Sequence, residues 1–253
     1  MTVTVAVTGA TGRMGEEVLA AAADRDDVAV AFAVSRSPGA EVAGVAVEDA
    51  ADLSALLAEH DPDVLVDFTG PASCVEYAAA CADAGVAFVS GTTGLNQGCF
   101  DALREAAGEV PVLYASNFSR GIAALRRAVR EAVPALDGYD IELTETHHNA
   151  KRDAPSGTAL TLLDDIDEVR GDSPRVHGRE GEAPRSEGEV GVHARRAGDI
   201  AGEHEVLLAG NHESLSLTHR AGSRGVFAAG ALDAATWLSG RDAGWYDFTE
   251  VLE

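Results

Sequence analysis

Lysine occurs once in this 253-residue chain, at position 151; the other 18 of its 19 basic side chains are arginine. Cysteine occurs three times, as Cys74, Cys81 and Cys99, without CxxC spacing. An odd, unclustered set excludes a disulfide framework and a cysteine zinc site, so inert thiols in a reducing compartment are expected. No apolar run approaches the ~18 residues that a membrane-crossing helix needs. The first residues enter a β-like run at once, with neither a basic stretch nor a cleavage site, and the chain reads as soluble and cytoplasmic. Positive charge is scarce overall: 19 basic against 42 acidic residues leave a formal charge of −23. An acidic surface of that density repels nucleic-acid phosphates and anionic lipid, which argues against both as partners.

Strand-like and helix-like segments alternate through the first half. Short β-branched runs at 3–8, 28–34, 64–68, 86–90 and 112–115 are separated by alanine-rich helical patterns at 12–23, 53–60, 72–84 and 100–107. That alternation predicts an α/β fold, a Rossmann-like doubly wound parallel sheet. After about residue 118 the style changes. A helix rich in arginine (120–133), a strand (139–146) and a second helix (157–169) lead into 171–188, which reads as a long mobile loop. Strands at 190–195, 203–208 and 215–219 and an alanine-rich helix at 225–238 follow. The expected architecture is a dinucleotide-binding domain (1–118), a second α+β domain with a mixed or mostly antiparallel sheet (119–224), and a C-terminal return to the first domain (225–253).

"VTVAVTGATGRMG" is a strand, a glycine turn and a helix start, with Gly9, Gly12 and Gly15 spaced GxxGxxG. Such a turn lets backbone N–H groups at a helix N-terminus approach a pyrophosphate. At the end of the second strand an acid would hold a ribose 2′-hydroxyl, but Ser35 stands there and Arg36 follows. An arginine suits a 2′-phosphate, so NADPH is expected over NADH, with NADH still possible. "SGTTG" (90–94) and "ASNFS" (115–119) fall at later strand ends on the same edge. Their small residues leave room for a flat ring, while Thr92, Thr93, Ser116 and Asn117 offer hydrogen bonds.

The lone lysine lies in "ETHHNAKRDAPSGTAL" (145–160). His147 and His148 end a strand and should point to opposite faces. Pro155 suits the first turn of a helix whose free N–H groups near Gly157 and Thr158 would bind an anion. A histidine pair could also be half a metal site, but no carboxylate or cysteine is placed to complete it, and no metal is expected. Lysine can give and take a proton at working pH, whereas arginine cannot, so position 151 reads as a site of proton transfer.

"GATGRMG", "GTTG", "ASNFS", "HHNAKRDAPSGTAL", "RAGDIAGEH" (196–204) and "WLSG" (237–240) together resemble the dihydrodipicolinate reductase family in order and spacing over nearly the whole chain. The resemblance implies hydride transfer from NAD(P)H to C4 of a cyclic dicarboxylate, with loss of its 4-hydroxyl as water, in the diaminopimelate route to lysine. It implies His147 as the acid/base residue, Lys151 as the proton donor and His148 as a substrate contact, with Gly157 and Thr158 holding a substrate carboxylate. Gly9, Ala10, Thr11, Gly12, Arg13, Met14, Arg36, Gly91, Thr92, Thr93, Ala115, Ser116, Asn117 and Phe118 would bind the cofactor. A homotetramer built through the second domain's sheet is also implied. Many family members carry an acid at the position of Ser35, a departure that bears on cofactor choice and not on the chemistry. The low-lysine, acid-rich composition resembles that of salt-adapted archaea, whose acidic surfaces stay hydrated in multimolar salt. Two other readings stay open on the residues alone: another two-domain reductase, such as a semialdehyde or amino-acid dehydrogenase, and a non-catalytic NADP-binding sensor.

Overall fold

The computed structural model describes residues 2–252; Met1 and Glu253, which the expected domain boundaries include, lie outside them. The chain forms two compact units, residues 1–119 with 224–253, and residues 120–223.

In chain order the first unit contains β1 (Val3–Thr8), α1 (Arg13–Ala23), β2 (Val28–Ser35), β3 (Glu41–Val42), β4 (Val45–Asp49), α2 (Leu53–His60), β5 (Val64–Asp67), α3 (Pro71–Ala84), β6 (Ala87–Ser90), α4 (Gln97–Ala106) and β7 (Pro111–Tyr114). The second unit contains α5 (Arg120–Ala135), β8 (Asp140–His147), α6 (Gly157–Arg170), β9 (Arg175–His177), β10 (Val190–Arg196), β11 (Gly202–Gly210) and β12 (Glu213–Ala221). The chain then returns to the first unit with α7 (Gly225–Leu238) and β13 (Gly244–Asp247).

The first sheet runs β13-β7-β6-β5-β1-β2-β4-β3 and is parallel except for the β3–β4 hairpin. Its central strands are covered on both faces, which is why they are almost uninterrupted apolar runs: β5 and β6 are buried at every position. The core of this unit includes Phe32, Leu57, Leu65, Phe88 and Leu103. Strand order reverses between β1 and β5, and that switch point opens the crevice where such sheets bind ligands. The short β3–β4 hairpin and β13, which pairs parallel with β7, carry too little β-branched sequence to be foreseen.

The second sheet runs β12-β11-β8-β10-β9 and is mixed, within the expected range of mixed to antiparallel. β10 lies parallel to β8 and β9 parallel to β10, because α6 makes a crossover long enough to return the chain in the same direction. β11 pairs antiparallel with β8 and β12. Asn211 and His212 turn the last hairpin, both at positive φ (46° and 63°), as a tight two-residue connection demands. One face of this sheet carries α5 and α6 over Ile141, Leu143, Val192, Val206 and Leu208, and burial alternates along β8 and β11 accordingly. The arginines of α5 have a structural use: Arg126 and Arg130 both chelate the buried Asp165 of α6. The segment expected to be a mobile loop is tied down. It contains β9, Arg179 pairs with Glu189, and Arg185 pairs with Asp140 and Glu142.

Candidate active site

The first unit gathers its candidate residues around the switch point. Gly9 adopts φ +66°, and a Cβ on Gly15 would come within 2.2 Å of the Gly9 carbonyl oxygen, so the turn and the helix start can meet only as glycines. Gly12 sits at the N-cap of α1 without a side-chain cap, which leaves that helix end to an external acceptor. A cleft of about 450 Å³ is lined by Gly9, Thr11 and Gly12 after β1, Ser35 to Ser37 after β2, and Phe68 to Ser73 after β5. The Thr11 and Ser35 hydroxyls lie 2.6 Å apart, and Ser35 Oγ accepts the Ser37 N–H. Arg36 is exposed at the rim. These residues fit a nicotinamide dinucleotide: a side-chain-free turn for the pyrophosphate, and hydroxyls with a guanidinium where the ribose of the adenosine half would lie. Ala10 is buried, Thr11 and Met14 are half-buried, and Arg13 is exposed.

The later loops are organised by Asp67, a fully buried carboxylate that sequence reasoning missed. It accepts hydrogen bonds from four hydroxyls: Thr8 (2.8 Å), Thr69 (2.6 Å), Ser90 (3.1 Å) and Thr92 (2.6 Å). Thr92 Oγ1 also accepts the Thr69 N–H, so its hydroxyl is committed to the protein. The room expected beside Gly91 for a ring is filled from within, since a Cβ there would meet the Phe68 ring at 2.1 Å. Phe118 is a core side chain, packed edge-on against Phe68 and Phe248. Ala115 is buried, while Thr93 and Ser116 are exposed. Asn117 accepts the Ser119 N–H, fixing the turn that precedes α5. Cys74 and Cys81 are buried, and burial together with Asp67 raises both thiols, that of Cys74 to about 12.

In the second unit His147 is the last residue of β8, and His148 lies just beyond it, half-buried. The His148 carbonyl accepts the Lys151 N–H, which closes a turn that brings Lys151 back beside His147. Lys151 Nζ pairs with the exposed Asp153 at 2.9 Å. Ser156, not Pro155, opens α6: its hydroxyl accepts the Ala159 N–H as an N-cap, and Pro155 precedes the helix. A Cβ at Gly157 would meet nothing within 4 Å, so the glycine answers no internal contact and leaves the helix end open to a ligand group.

Three further side chains join this cluster and were not foreseen: Glu145, Arg196 and His204. Glu145 is fully buried. Arg196 reaches it from β10 with Nη1 at 2.8 Å from Oε2 and Nη2 at 2.7 Å from Oε1. His147 Nδ1 lies 2.6 Å from Glu145 Oε2, and the Ser156 N–H donates to Oε1 at 3.1 Å. Burial would raise the Glu145 carboxyl, but the hydrogen bonds from Arg196 and His147 bring it below its ordinary value. Burial depresses His147, Glu145 opposes that, and Lys151 and Arg196 add to it, leaving the ring below 6.5 and neutral at pH 7. His204 is more deeply buried and falls to about 3; its Nε2 lies 3.1 Å from Ser156 Oγ. The i, i+2 spacing of Glu145 and His147 on one strand was a readable signal for the first of these contacts. Among the described residues no set of His, Cys, Asp and Glu side chains is arranged to hold a metal ion.

A crevice shaped for a pyrophosphate and a group of proton carriers beside an open helix end are what reduction by hydride requires, so the class is a nicotinamide-dependent oxidoreductase. Comparison with known proteins narrows it. Residues 3–118 match the sequence family described as dihydrodipicolinate reductase, N-terminus, and residues 121–252 match its C-terminus. A 4-hydroxy-tetrahydrodipicolinate reductase of Haloarcula marismortui is 55% identical over 249 residues, covering 98% of each chain. That of Natronomonas pharaonis is 53% identical, covering 98% of this chain and 99% of the relative. Among solved structures, a dipicolinate-bound dihydrodipicolinate reductase from Paenisporosarcina sp. TG-14 has the same fold, with a TM-score of 0.83 at 23% identity over 98% of both chains. An engineered D-amino acid dehydrogenase bound to NADP+ follows at a TM-score of 0.61 and 16% identity, covering 100% of this chain and 96% of that one. The chain belongs to the dihydrodipicolinate reductase family. No helix among the described residues is long and apolar enough to cross a membrane.

Proposed function

We propose that this protein reduces 4-hydroxy-tetrahydrodipicolinate to tetrahydrodipicolinate in the diaminopimelate route to lysine, with NADPH preferred over NADH. The observation that carries the reading is the grouping of His147, Lys151 and the open N-terminus of α6 in one unit. The names of the relatives support the substrate, and the dipicolinate bound to the structural neighbour supports a cyclic dicarboxylate. A bound reduced nicotinamide supplies the hydride. The chain's own residues do the rest. Gly157 and Thr158 receive one carboxylate at the helix end, His148 contacts the substrate, and Lys151 delivers the proton that the reduced, electron-rich ring takes up. His147 rests neutral and exchanges a proton at Nε2. Gly9 to Met14, Arg36, Gly91 to Thr93 and Ala115 to Phe118 form the cofactor site, several of them through backbone atoms alone.

A homotetramer assembled through the second unit's sheet fits the exposure of β12, where Leu215 is 38% exposed on an edge strand. A semialdehyde dehydrogenase needs an activated cysteine; Cys74 and Cys81 are buried with raised pKa values, and the remaining candidate, the half-buried Cys99, has no histidine near it in sequence, which weighs against that reading.

The test is NADPH oxidation with 4-hydroxy-tetrahydrodipicolinate by the wild type and by Lys151→Arg. The substitution keeps the charge but removes the transferable proton, and turnover should fall by roughly 10²-fold or more. Near-normal turnover in Lys151→Arg overturns the proton-donor role, and an inert wild type overturns the reaction.

A further inference from the structure

Glu145 belongs to the same unit as the proton carriers, yet proton exchange at His147 Nε2 and Lys151 makes no direct use of it. Its surroundings are specific. Every neighbour within hydrogen-bond distance other than His147 is a donor: two guanidinium nitrogens of Arg196 and the Ser156 N–H. An ionised carboxylate only accepts, so the 2.6 Å contact to His147 Nδ1 is an N–H donated by the ring. Nε2 makes no hydrogen bond to the described protein, and the side chain retains 11% exposure. The ring is held on two further sides. A Cβ on Gly202 would stand 3.1 Å from Nε2, so the glycine makes room for the imidazole, and the His204 ring meets it edge-on with centroids 5.1 Å apart.

The geometry assigns Glu145 as the positioning residue of His147: it fixes the Nδ1–H tautomer, presents the Nε2 lone pair for proton exchange, and stabilises the imidazolium whenever Nε2 is protonated. The balance is simple. One proton arrives at Nε2 and leaves from Nε2 in each turnover, the Nδ1 proton stays on the ring, and Glu145 stays ionised. Arg196 keeps it so. The assignment rests on the acid/base reading of His147 given above.

The charged and titratable groups facing His147 are Glu145 on its own strand, Arg196 on β10, His204 on β11 and Lys151 on the turn. Only Glu145 favours the protonated ring; Lys151 and Arg196 oppose it. Removing the Glu145 charge should therefore move the His147 titration to lower pH.

The experiment combines 15N NMR of the histidine rings with kinetics of Glu145→Gln, Glu145→Asp, His147→Gln and the Glu145→Gln/His147→Gln pair. Wild type should show His147 as the Nδ1–H tautomer, its signals identified by their loss in His147→Gln. An Nε2–H ring overturns the proposal, and this measurement stands even where Glu145→Gln does not fold. In Glu145→Gln the amide must offer N–H groups to donors, the tautomers should mix, and kcat should fall about 10²-fold while KM changes by less than about threefold. The limb of the pH profile that belongs to His147 should move to lower pH, and Glu145→Asp should recover part of kcat. The double variant should be no slower than His147→Gln alone. Independent, multiplying losses, or an unmoved pH limb, would make Glu145 merely structural and overturn the assignment. Near-normal turnover in His147→Gln is a different result, since it removes the acid/base reading on which the assignment stands.

Discussion

Asp67 and Glu145 are both fully buried carboxylates, one in each unit, and they are satisfied by opposite means. Among the described residues, Asp67 has no cation as a hydrogen-bond partner. Four hydroxyls from three segments, the ends of β1, β5 and β6, converge on it, so it is satisfied by neutral dipoles alone. Glu145 has a forked arginine on both oxygens and a histidine on one. The first arrangement fixes loops: Thr69 and Thr92 lie after β5 and β6, where a ligand-binding edge needs rigid backbone. The second neutralises a charge while tuning the imidazole beside it. A buried carboxylate is thus a clamp in one unit and a tuning element in the other, and the donor type tells which.

Removing the cation from the second arrangement should produce the largest effect. Arg196→Met keeps much of the packing but leaves Glu145 buried without its fork, and such broken pairs cost about 3–5 kcal/mol. Glu145 would then titrate higher than in the wild type, so the deficit in urea unfolding free energy should shrink as pH falls from 7 to 5 and the carboxylate takes up its proton. A deficit that is equal at both pH values would show that Glu145 carries no charge to strand.

Acid itself should separate the units next. His147, His204 and His219 are all depressed by burial, His204 to about 3. Each binds a proton in the unfolded chain near pH 6.5 and resists it when folded. The stability that depends on their staying neutral is whole above pH 6.5 and is lost as pH falls below it, for His204 down to about 3. Glu145 is held below 4.5, and what it contributes is lost as pH falls below that value. The first unit has one histidine, His60, and it is exposed. Hydrogen exchange at pH 4, corrected for intrinsic rates, should show β8, β10 and β11 losing protection relative to pH 7 while β1, β5 and β6 keep theirs. Equal losses would remove the contrast.

Much of this was legible because local pattern and long-range packing agree. The apolar runs of β1, β2, β5, β6 and β7 and the helices between them follow from burial on both faces of a parallel sheet. The glycine turn and the lone lysine announce themselves through residue types that nothing else replaces. Strand register hides the remainder. Glu145 and Arg196 are 51 positions apart and meet only because β10 pairs parallel with β8. Asp67 and Thr8 are 59 apart and meet across β5 and β1. The direction of β10 is hidden for a related reason: strand segments show period and length, but the partner and its direction depend on where α6 returns the chain. Phe118 and Gly91 carry a further lesson. Family motifs mark them beside the cofactor, while their side-chain space is spent on the core around Phe68.

Asp67→Asn tests the hydroxyl clamp and should have a smaller effect than either change above. The amide keeps the shape but turns one acceptor into a donor, so two of the four hydroxyls must reorient or lose their partner, at about 1–3 kcal/mol. The loops should loosen together. NADPH affinity measured by fluorescence should fall along with Tm, whereas the NMR signature of His147 should be unchanged. Unaltered cofactor affinity would make Asp67 a fold residue only.

The smallest effect is expected where a carboxylate is absent. β2 ends in Ser35, whose Oγ lies 2.6 Å from the Thr11 hydroxyl and accepts the Ser37 N–H, so the strand end has a neutral cradle with Arg36 at its rim. A charged hydrogen bond to a 2′-phosphate contributes roughly 1.5–3 kcal/mol, and the exposure of Arg36 places it at the low end, about tenfold in affinity. NADPH should therefore be favoured over NADH by about that factor in kcat/KM. Because Arg36 lies in solvent, its contribution should also weaken as salt screens it, on the ~10 Å scale of 0.1 M ionic strength and shorter above. Arg36→Ala should remove most of the preference, leave NADH turnover and Tm nearly unchanged, and flatten the salt dependence of the ratio. Installing the missing charge with Ser35→Asp should reverse the preference, since the acid would accept from a ribose 2′-hydroxyl and repel a phosphate. A wild type that favours NADH, or a ratio that survives Arg36→Ala, would show that this strand end does not read the cofactor.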